Sequence, residues 1–331
     1  MPPNPPRREN FLLSIVFSFR NEEEVLPELL SRLKAVLEPL VAYELVFAND
    51  DSTDRSLEVL SEASKSHPIR ILNMSRRFGV LPCTMAGIHH SRGDAVLLMD
   101  TDLQDPPELI PRLLEELWNG ADLVYTKRLS REGENPFKLW VTKVAYRIIS
   151  SMANVPLPVD SGLFKLMSRR VVSELVRLQE KDPFLKGLIH WVGFRQVCVN
   201  YDRKKRAAGE THHPLWSRGP REEFLAGVFS FSTVPLQVCL FGGVALAGLA
   251  TIYLVAVVAM YLAGWNLGGW TTLVGLGLIF GSTQLVTMGV VGIYVGRIYE
   301  EVRSRPLYIV KDAVGFEGAR PAEVPHRRGA A

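Results

Sequence analysis

From Phe224 to Gly296 the chain carries no Asp, Glu, Lys, Arg or His. No ordinary soluble core element is so long and uncharged, whereas the hydrocarbon of a bilayer takes roughly 20 apolar residues per helix. The run breaks at Gly264-Trp265-Asn266-Leu267-Gly268-Gly269, which leaves two spans, about Val238–Ala263 and Trp270–Val295. Tyr261, Trp265 and Trp270 stand where the spans end, and amphipathic rings collect at membrane interfaces. A buried helical hairpin in a soluble protein is the competing reading, and the length of the run weighs against it. The connection between the spans is uncharged, while Arg297, Arg303, Arg305 and Lys311 follow the second span. The positive-inside rule then puts both flanks in the cytoplasm and the hairpin tip outside. The N-terminus, with Pro2, Pro3, Pro5, Pro6 and Arg7-Arg8, lacks the apolar core of a secretory signal. The expected organisation is a flexible N-terminus (1–10), a cytoplasmic domain (11–223), two transmembrane helices (224–296) and a cytoplasmic C-terminal tail (297–331). That is a multi-pass protein of the plasma (inner) membrane.

The remaining 200 or so residues, by the usual size of domains, make one domain. Leu12–Phe19 reads as a first strand, followed by the polar Arg20-Asn21-Glu22-Glu23-Glu24. Val25, Leu26, Leu29, Leu30, Leu33, Val36 and Leu37 then recur at helical spacing. Glu44–Ala48 is a second strand, ending in Asn49-Asp50-Asp51-Ser52-Thr53-Asp54, where Ser52 or Thr53 is expected to cap a helix. Ile69–Met74 is a third, and Pro82 suits the first turn of a helix running to about Ser91. Ala95–Met99 is a fourth, and Asp122–Thr126 the next. Between those two, Asp105-Pro106-Pro107 reads as a helix start capped by Asp105, and Gly120 as its stop. Alternating strands and helices imply an α/β fold with a mostly parallel sheet.

The chemistry gathers where strands end. Asp100 and Asp102 follow the fourth strand, and in an extended backbone residues two apart share a side, so Asp100, Asp102 and Gln104 can converge. Three hard oxygen donors suit Mg²⁺ or Mn²⁺. Ligands of open α/β sheets sit outside the carboxyl ends of the strands. The dinucleotide glycine fingerprint is missing after the first strand; strands end instead in Glu22, Asp50 and Asp100/Asp102. Such an acidic crevice accepts a nucleotide diphosphate if a metal intervenes and the remaining acids meet base and ribose. Cys83, Cys198 and Cys239 are scattered, so neither a disulfide framework nor a zinc site is expected. A formal net charge of +3 makes no case for nucleic acid. Within Phe137–Met152, Leu139/Trp140, Val144, Ile148 and Met152 lie near one helical face and Lys138, Lys143 and Arg147 outside it. That pattern reads as an interfacial helix, with an ordinary core-facing helix as the alternative. His89/His90 read as helix surface; neither they nor His212/His213 have metal-ligand spacing.

These stretches resemble a known family. They include Arg20-Asn21-Glu22-Glu23, Asn49–Asp54, Ser75-Arg76-Arg77-Phe78-Gly79, Asp100–Glu108, Asp160-Ser161-Gly162-Leu163-Phe164-Lys165-Leu166 and Gly209-Glu210-Thr211. Gly296–Val302 and Arg305-Pro306-Leu307-Tyr308 belong with them. Together they resemble the family 2 glycosyltransferases of GT-A fold, specifically the bacterial polyprenyl-phosphate glycosyltransferases related to dolichyl-phosphate mannose synthase. The family usually has Gly where Asp51 stands, and Asp tolerates the left-handed conformation that Gly often supplies. Asn49 replaces a commoner Asp, and Val80-Leu81-Pro82-Cys83 departs from the usual polar residue and Ala.

The resemblance implies a GT-A catalytic domain followed by the membrane hairpin, and a metal-dependent inverting transfer of a sugar from a nucleotide diphosphate to polyprenyl (undecaprenyl) phosphate. Uridine is the commoner base among such proteins, ahead of guanosine, and a homo-oligomer, a tetramer, is implied as well. Glu22, Asn49 and Asp50 would hold base and ribose; Asp100, Asp102 and Gln104 the metal and diphosphate. Asp160 matches the proposed catalytic base. Arg128 and Arg206 would face acceptor or donor phosphate, which a planar guanidinium suits. A processive polysaccharide synthase would carry more spans and a Gln-x-x-Arg-Trp motif, neither of which is found. A sugar nucleotidyltransferase would carry a glycine-rich N-terminal loop. Intact Asp100, Asp102, Gln104 and Asp160 argue against a catalytically silent membrane scaffold of the same fold. A glycosyltransferase with another lipid acceptor is the remaining alternative.

Overall fold

The computed structural model describes residues 10–128, 161–178, 180–181, 183–201, 234–264 and 269–316. Among them an eight-stranded sheet forms from β1 (Leu12–Phe19), β2 (Ala42–Asn49), β3 (Ile69–Met74), β4 (Ala95–Leu98), β5 (Leu123–Arg128), β6 (Ser161–Ser168), β7 (Gln196–Tyr201) and β8 (Val310–Val314), in the order β7-β5-β6-β4-β1-β2-β3-β8. The pairs β1–β2, β1–β4, β2–β3 and β5–β7 are parallel. Only β6 and β8 run against their neighbours. The sheet is mixed and mostly parallel, as the alternation of strands and helices implies.

Both faces of the sheet are covered, so its central strands are apolar throughout. On one face Leu13, Ile15 and Phe17 of β1 meet α1 (Leu26–Leu37) and α4 (Ile110–Trp118). α1 forms because Leu26, Leu29, Leu30, Leu33 and Leu37 fall on one stripe, and all five are buried. Each such leucine contributes about 1.5–3 kcal/mol by leaving water. On the other face Val16, Val46 and Leu98 meet α3 (Val80–His90), α5 (Arg169–Arg177) and α6 (Leu185–Trp191). Gly87 allows α3 to lie on the sheet: a Cβ there would sit 2.3 Å from Val16 Cγ1.

Two expected caps are not caps. Helix α2 (Ser56–Ala63) starts later than expected, and Asp54 holds its first turn by accepting from Ser56 N–H at 3.1 Å. Ser52 and Thr53 bond instead to Asn21 of the preceding loop. Asp105 is wholly buried and accepts from the Tyr201 hydroxyl, while the turn at Pro107–Leu109 that leads into α4 carries no side-chain cap. Gly120, at φ 92°, does stop α4.

Helices α7 (Val234–Leu262) and α8 (Trp270–Arg303) are long and apolar, with mean hydropathy 2.3 and, over Leu273–Arg303, 1.7. None of either apolar window is buried within the chain, and both helices are long and apolar enough to cross a membrane. α8 runs on past Val295 to Arg303, about two turns beyond the expected span. The chain then returns to the sheet, where β8 pairs antiparallel with β3. Tyr308 is buried on the way, and its hydroxyl lies 2.9 Å from His89 Nδ1. His90, itself buried, meets the rings of Tyr308 and Phe316 edge-on. The two histidines therefore face a returning segment and not solvent, which corrects their reading as helix surface.

Candidate active site

Parallel pairing brings the carboxyl ends of β4, β1, β2 and β3 to one edge of the sheet. Two reversals put β5 parallel to β4, so Arg128 at the end of β5 and Tyr201 at the end of the parallel β7 reach that edge too. β6 runs the other way, so its first residue, Ser161, lies there opposite Lys127. Asp160, Arg206, the Phe137–Met152 stretch and His212/His213 lie outside the described residues.

The loops after β1 and β2 are sewn together. Asn21 donates its N–H to Ser52 Oγ at 3.1 Å and accepts from Thr53 N–H at 2.8 Å. Glu22 donates its N–H to Ser56 Oγ at 2.8 Å. Glu23 donates its N–H to Asp54 at 3.2 Å, and its carboxylate accepts from Arg55 N–H at 2.9 Å. Non-glycine residues in the left-handed region recur here: Asn21 (φ 56°), Asp51 (φ 58°) and Leu103 (φ 57°), one in each loop that follows β1, β2 and β4. Asn and Asp tolerate this locally, while Leu103 is held by burying its side chain in the core. Left-handed residues in three adjacent loops mark a site whose surroundings overdetermine its shape.

Asp50 is buried, and its Oδ1 accepts from the backbone N–H groups of Phe78 at 2.6 Å and Gly79 at 3.0 Å. Gly79 takes φ 99° and precedes α3, so Asp50 ties the loop after β2 to the loop after β3 at a helix start that favours negative charge. The Cys83 thiol lies beneath: burial, with Asp50 beside it, pushes its pKa up and leaves it unreactive. Asn49 is likewise buried and donates its amide N–H to Asn73 Oδ1 at 3.1 Å.

After β4 the backbone does not stay extended. Residues 101–103 bend and Leu103 turns left-handed, so shared strand orientation is not what relates Asp100, Asp102 and Gln104. Asp102 Oδ1 accepts from Gln104 N–H at 3.1 Å, which fixes the carboxylate within the bend. All three residues are half-buried. No cluster of three or more His, Cys, Asp and Glu side chains forms among the described residues, so any metal here rests on fewer carboxylates plus other oxygen donors.

Arg128 is a cation at this edge. Its Nε lies 3.3 Å from the Tyr201 hydroxyl, which in turn donates to Asp105. Burial works against its charge, but Tyr201, Asp105 and Asp100 together raise its pKa above the ordinary value. Gly162 makes room for it, since a Cβ there would lie 2.7 Å from Arg128 Nη2. Tyr201 and Asp105 thus emerge as the supports of Arg128. Sequence offers no signal for Tyr201; a buried carboxylate 96 residues away in the chain has to be placed first.

A family model described as glycosyl transferase family 2 matches residues 14–176. The uncharacterized glycosyltransferase YkcC of Bacillus subtilis (strain 168) is 41% identical over 310 residues, 93% of this chain and 95% of its own length. The prophage bactoprenol glucosyl transferase homolog of Escherichia coli (strain K12) is 35% identical over 303 residues, 90% of this chain and 98% of its own length. Among solved structures, glucosyl-3-phosphoglycerate synthase from Mycobacterium tuberculosis is similar at a TM-score of 0.46 and 19% identity, covering 67% of this chain and 81% of that one. Identity of this level, sustained along both the sheet domain and the apolar helices, shows that the chain is a glycosyltransferase of GT-A fold and belongs to glycosyl transferase family 2.

Proposed function

We propose that this protein, anchored in the membrane by α7 and α8, transfers a sugar from a nucleotide diphosphate to polyprenyl phosphate with inversion at the anomeric carbon. Relatives bearing the name bactoprenol glucosyl transferase, at 35–36% identity along nine tenths of the chain, support the acceptor. One observation carries the site: the half-buried Arg128, its Nε 3.3 Å from the Tyr201 hydroxyl, stands at the sheet edge where Asp100 and Asp102 follow β4. Two anionic reactants must meet in such a reaction. A carboxylate pair serving a cation and a separate guanidinium can neutralise one phosphate each.

Asp100 and Asp102 fit Mg²⁺ or Mn²⁺ by their chemistry, since such ions take one or two carboxylates and complete their shell with water and substrate phosphates. Gln104 is the third oxygen donor. When bound, the ion supplies charge neutralisation on the leaving diphosphate. Glu22, Asn49 and Asp50 border the crevice that would take base and ribose, with uridine ahead of guanosine. Arg128, with Arg206, holds the acceptor phosphate. Its oxygen forms the new bond to the anomeric carbon while the bond to the diphosphate oxygen breaks. Asp160 serves as the base or aligns the acceptor. The test is nucleotide release by the full chain in membranes, from a panel of UDP- and GDP-sugars beginning with UDP-glucose, with and without undecaprenyl phosphate. Release that depends on the lipid, with label moving from sugar to lipid, is the expected result. No lipid-dependent release from any donor would overturn the reading.

A further inference from the structure

A polar row crosses the sheet beside the crevice. Asn49 of β2 pairs with Asn73 of β3, and Asn73 pairs with Asp312 of β8. Side chains directly opposite one another share a sheet face, and these three are hydrogen-bonded in sequence. Asn73 Nδ2 donates to Asp312, Asn49 Nδ2 donates to Asn73 Oδ1 at 3.1 Å, and Ser52 N–H donates to Asn49 Oδ1 at 3.0 Å. Ser52 Oγ then accepts from Asn21 N–H, which carries the row into the loop after β1. Both ends fix its direction. An ionised Asp312 only accepts and a backbone N–H only donates, so each amide has one allowed orientation. Asn49 and Asn73 are buried, and their amides exchange poorly with water; Asp312 is exposed.

We infer that Asp312, on the strand that returns from the membrane hairpin, is a positioning residue for the donor loop Asn49–Ser52, acting through the Asn73–Asn49 relay. The inference rests on the reading of that loop as a donor site. The relay connects the segment after α8 to the residues flanking Asp50 and Asp51, so the conformation of that loop depends on β8 being docked. A unique polarity gives the relay a distinctive signature. A carboxylate at position 49 can accept from Ser52 N–H, but it forces Asn73 to turn its Nδ2 inward. Asn73 Oδ1 then opposes the Asp312 carboxylate, two acceptors without a proton between them. Placing an amide at position 312 supplies that proton and restores an unbroken row with its far half reversed.

The test is titration calorimetry of UDP, with Mn²⁺, into the full chain in detergent micelles, with GDP as the alternative probe. A net hydrogen bond is worth about two- to tenfold in an equilibrium constant. Asn49→Asp should weaken UDP binding by about that factor. Asp312→Asn, which keeps an acceptor, should stay within about twofold of wild type, and the double variant should recover to within about twofold as well. A double variant as weak as Asn49→Asp, or an Asn49→Asp variant that binds like wild type, would overturn the inference. Should Asn49→Asp fail to fold, Asp312→Ala carries the test. It removes the acceptor at an exposed position and should weaken UDP binding where Asp312→Asn does not; equal binding by the two overturns the inference. Wild-type protein that binds neither UDP nor GDP would overturn the donor-site reading, and the relay's role with it.

Discussion

Arg128 and Tyr201 stand directly opposite each other at the ends of two parallel strands, with the Arg128 Nε 3.3 Å from the Tyr201 hydroxyl. The phenol is held protonated: burial, then Asp105, pushes its pKa up to about 12, against the opposing pull of Arg128. It therefore donates to Asp105 and accepts from Arg128 at any physiological pH, and the guanidinium is aimed by a group that does not titrate with it.

Tyr201→Phe should consequently lower kcat/KM for polyprenyl phosphate about three- to tenfold while the fold is kept, since Arg128 loses the hydrogen bond that aims it; Asp105 loses its hydroxyl donor as well, at a further cost in stability. Gly162→Ala should do the same by displacing Arg128 Nη2 from its place 2.7 Å from the new Cβ. Arg128→Lys keeps the charge but not the planar fork, and misplacement of this kind costs about 100-fold. Steady-state kinetics with each substrate varied decides the assignment. A rise in KM for the lipid exceeding that for the sugar nucleotide is expected; equal rises would place Arg128 on the donor.

The strands of the parallel half and the two long apolar helices were legible because each has a local signature: apolar runs of strand length, or a long charge-free stretch. Asp51, φ 58°, occupies the left-handed backbone anticipated for it. What local pattern could not show depends on distant chain. β8 is Val-Lys-Asp-Ala-Val, a short edge strand with two charged residues among its five, and it follows the long apolar helix α8. Without it His89 and His90 look like helix surface, because the ring that covers both comes from Tyr308. Asp105 beside two prolines looks like a cap for the same reason, its partner being 96 residues away. The extended-backbone argument for Asp100, Asp102 and Gln104 failed at the bend over residues 101–103, which ends in the left-handed Leu103 whose side chain is buried.

Chelation should abolish turnover, and Mg²⁺ or Mn²⁺ should restore it. Asp102→Asn keeps the acceptor for Gln104 N–H but loses the charge, so the bend should survive while the cation is lost. The expected outcome is background turnover in protein with an unchanged apparent Tm. Full activity of the wild type in excess chelator would end the metal reading, whichever residues form the site.

Membrane topology has a structural constraint. β8 pairs with β3, so, with α7 and α8 crossing a bilayer as proposed, the segment after α8 and the sheet domain lie on the same side of it. Cysteine placed at Asn266, between the spans, should label with an impermeant reagent in intact cells; cysteine placed at Ser304 should not. The reverse pattern would put the sheet domain outside and contradict the positive-inside expectation.

A pH dependence of stability follows from a buried pair behind the site. Lys165 of β6 is fully buried, and its Nζ lies 2.9 Å from His190 Nε2. Gln196 uses its amide nitrogen on the carbonyls of His190 and Gly193, so its oxygen faces His190 Nδ1 at 2.7 Å and must accept. His190 thus carries its proton on Nδ1, and Lys165 donates to Nε2. Burial, then the charge of Lys186, lowers the Lys165 pKa to about 7, and burial, then Lys165, lowers that of His190 to about 4. His89 is lowered to about 4 as well, by burial and then His90. Each group binds its proton more readily unfolded than folded, so each makes stability rise with pH. For Lys165 the window lies between about 7 and the unfolded value of 10.5; for the histidines it lies between about 4 and 6.5. Apparent Tm at fixed scan rate should therefore climb from pH 7 to 9 and fall steeply below pH 6. Lys165→Met removes the upper slope and, by taking away a charge that lowers the His190 pKa, softens the lower one. It leaves His190 Nε2 without its donor, at a cost of about 1–3 kcal/mol at all pH values, yet flattens the profile between pH 7 and 9. A wild-type profile already flat there, or an unchanged slope in Lys165→Met, would show that Lys165 is not held neutral by its burial.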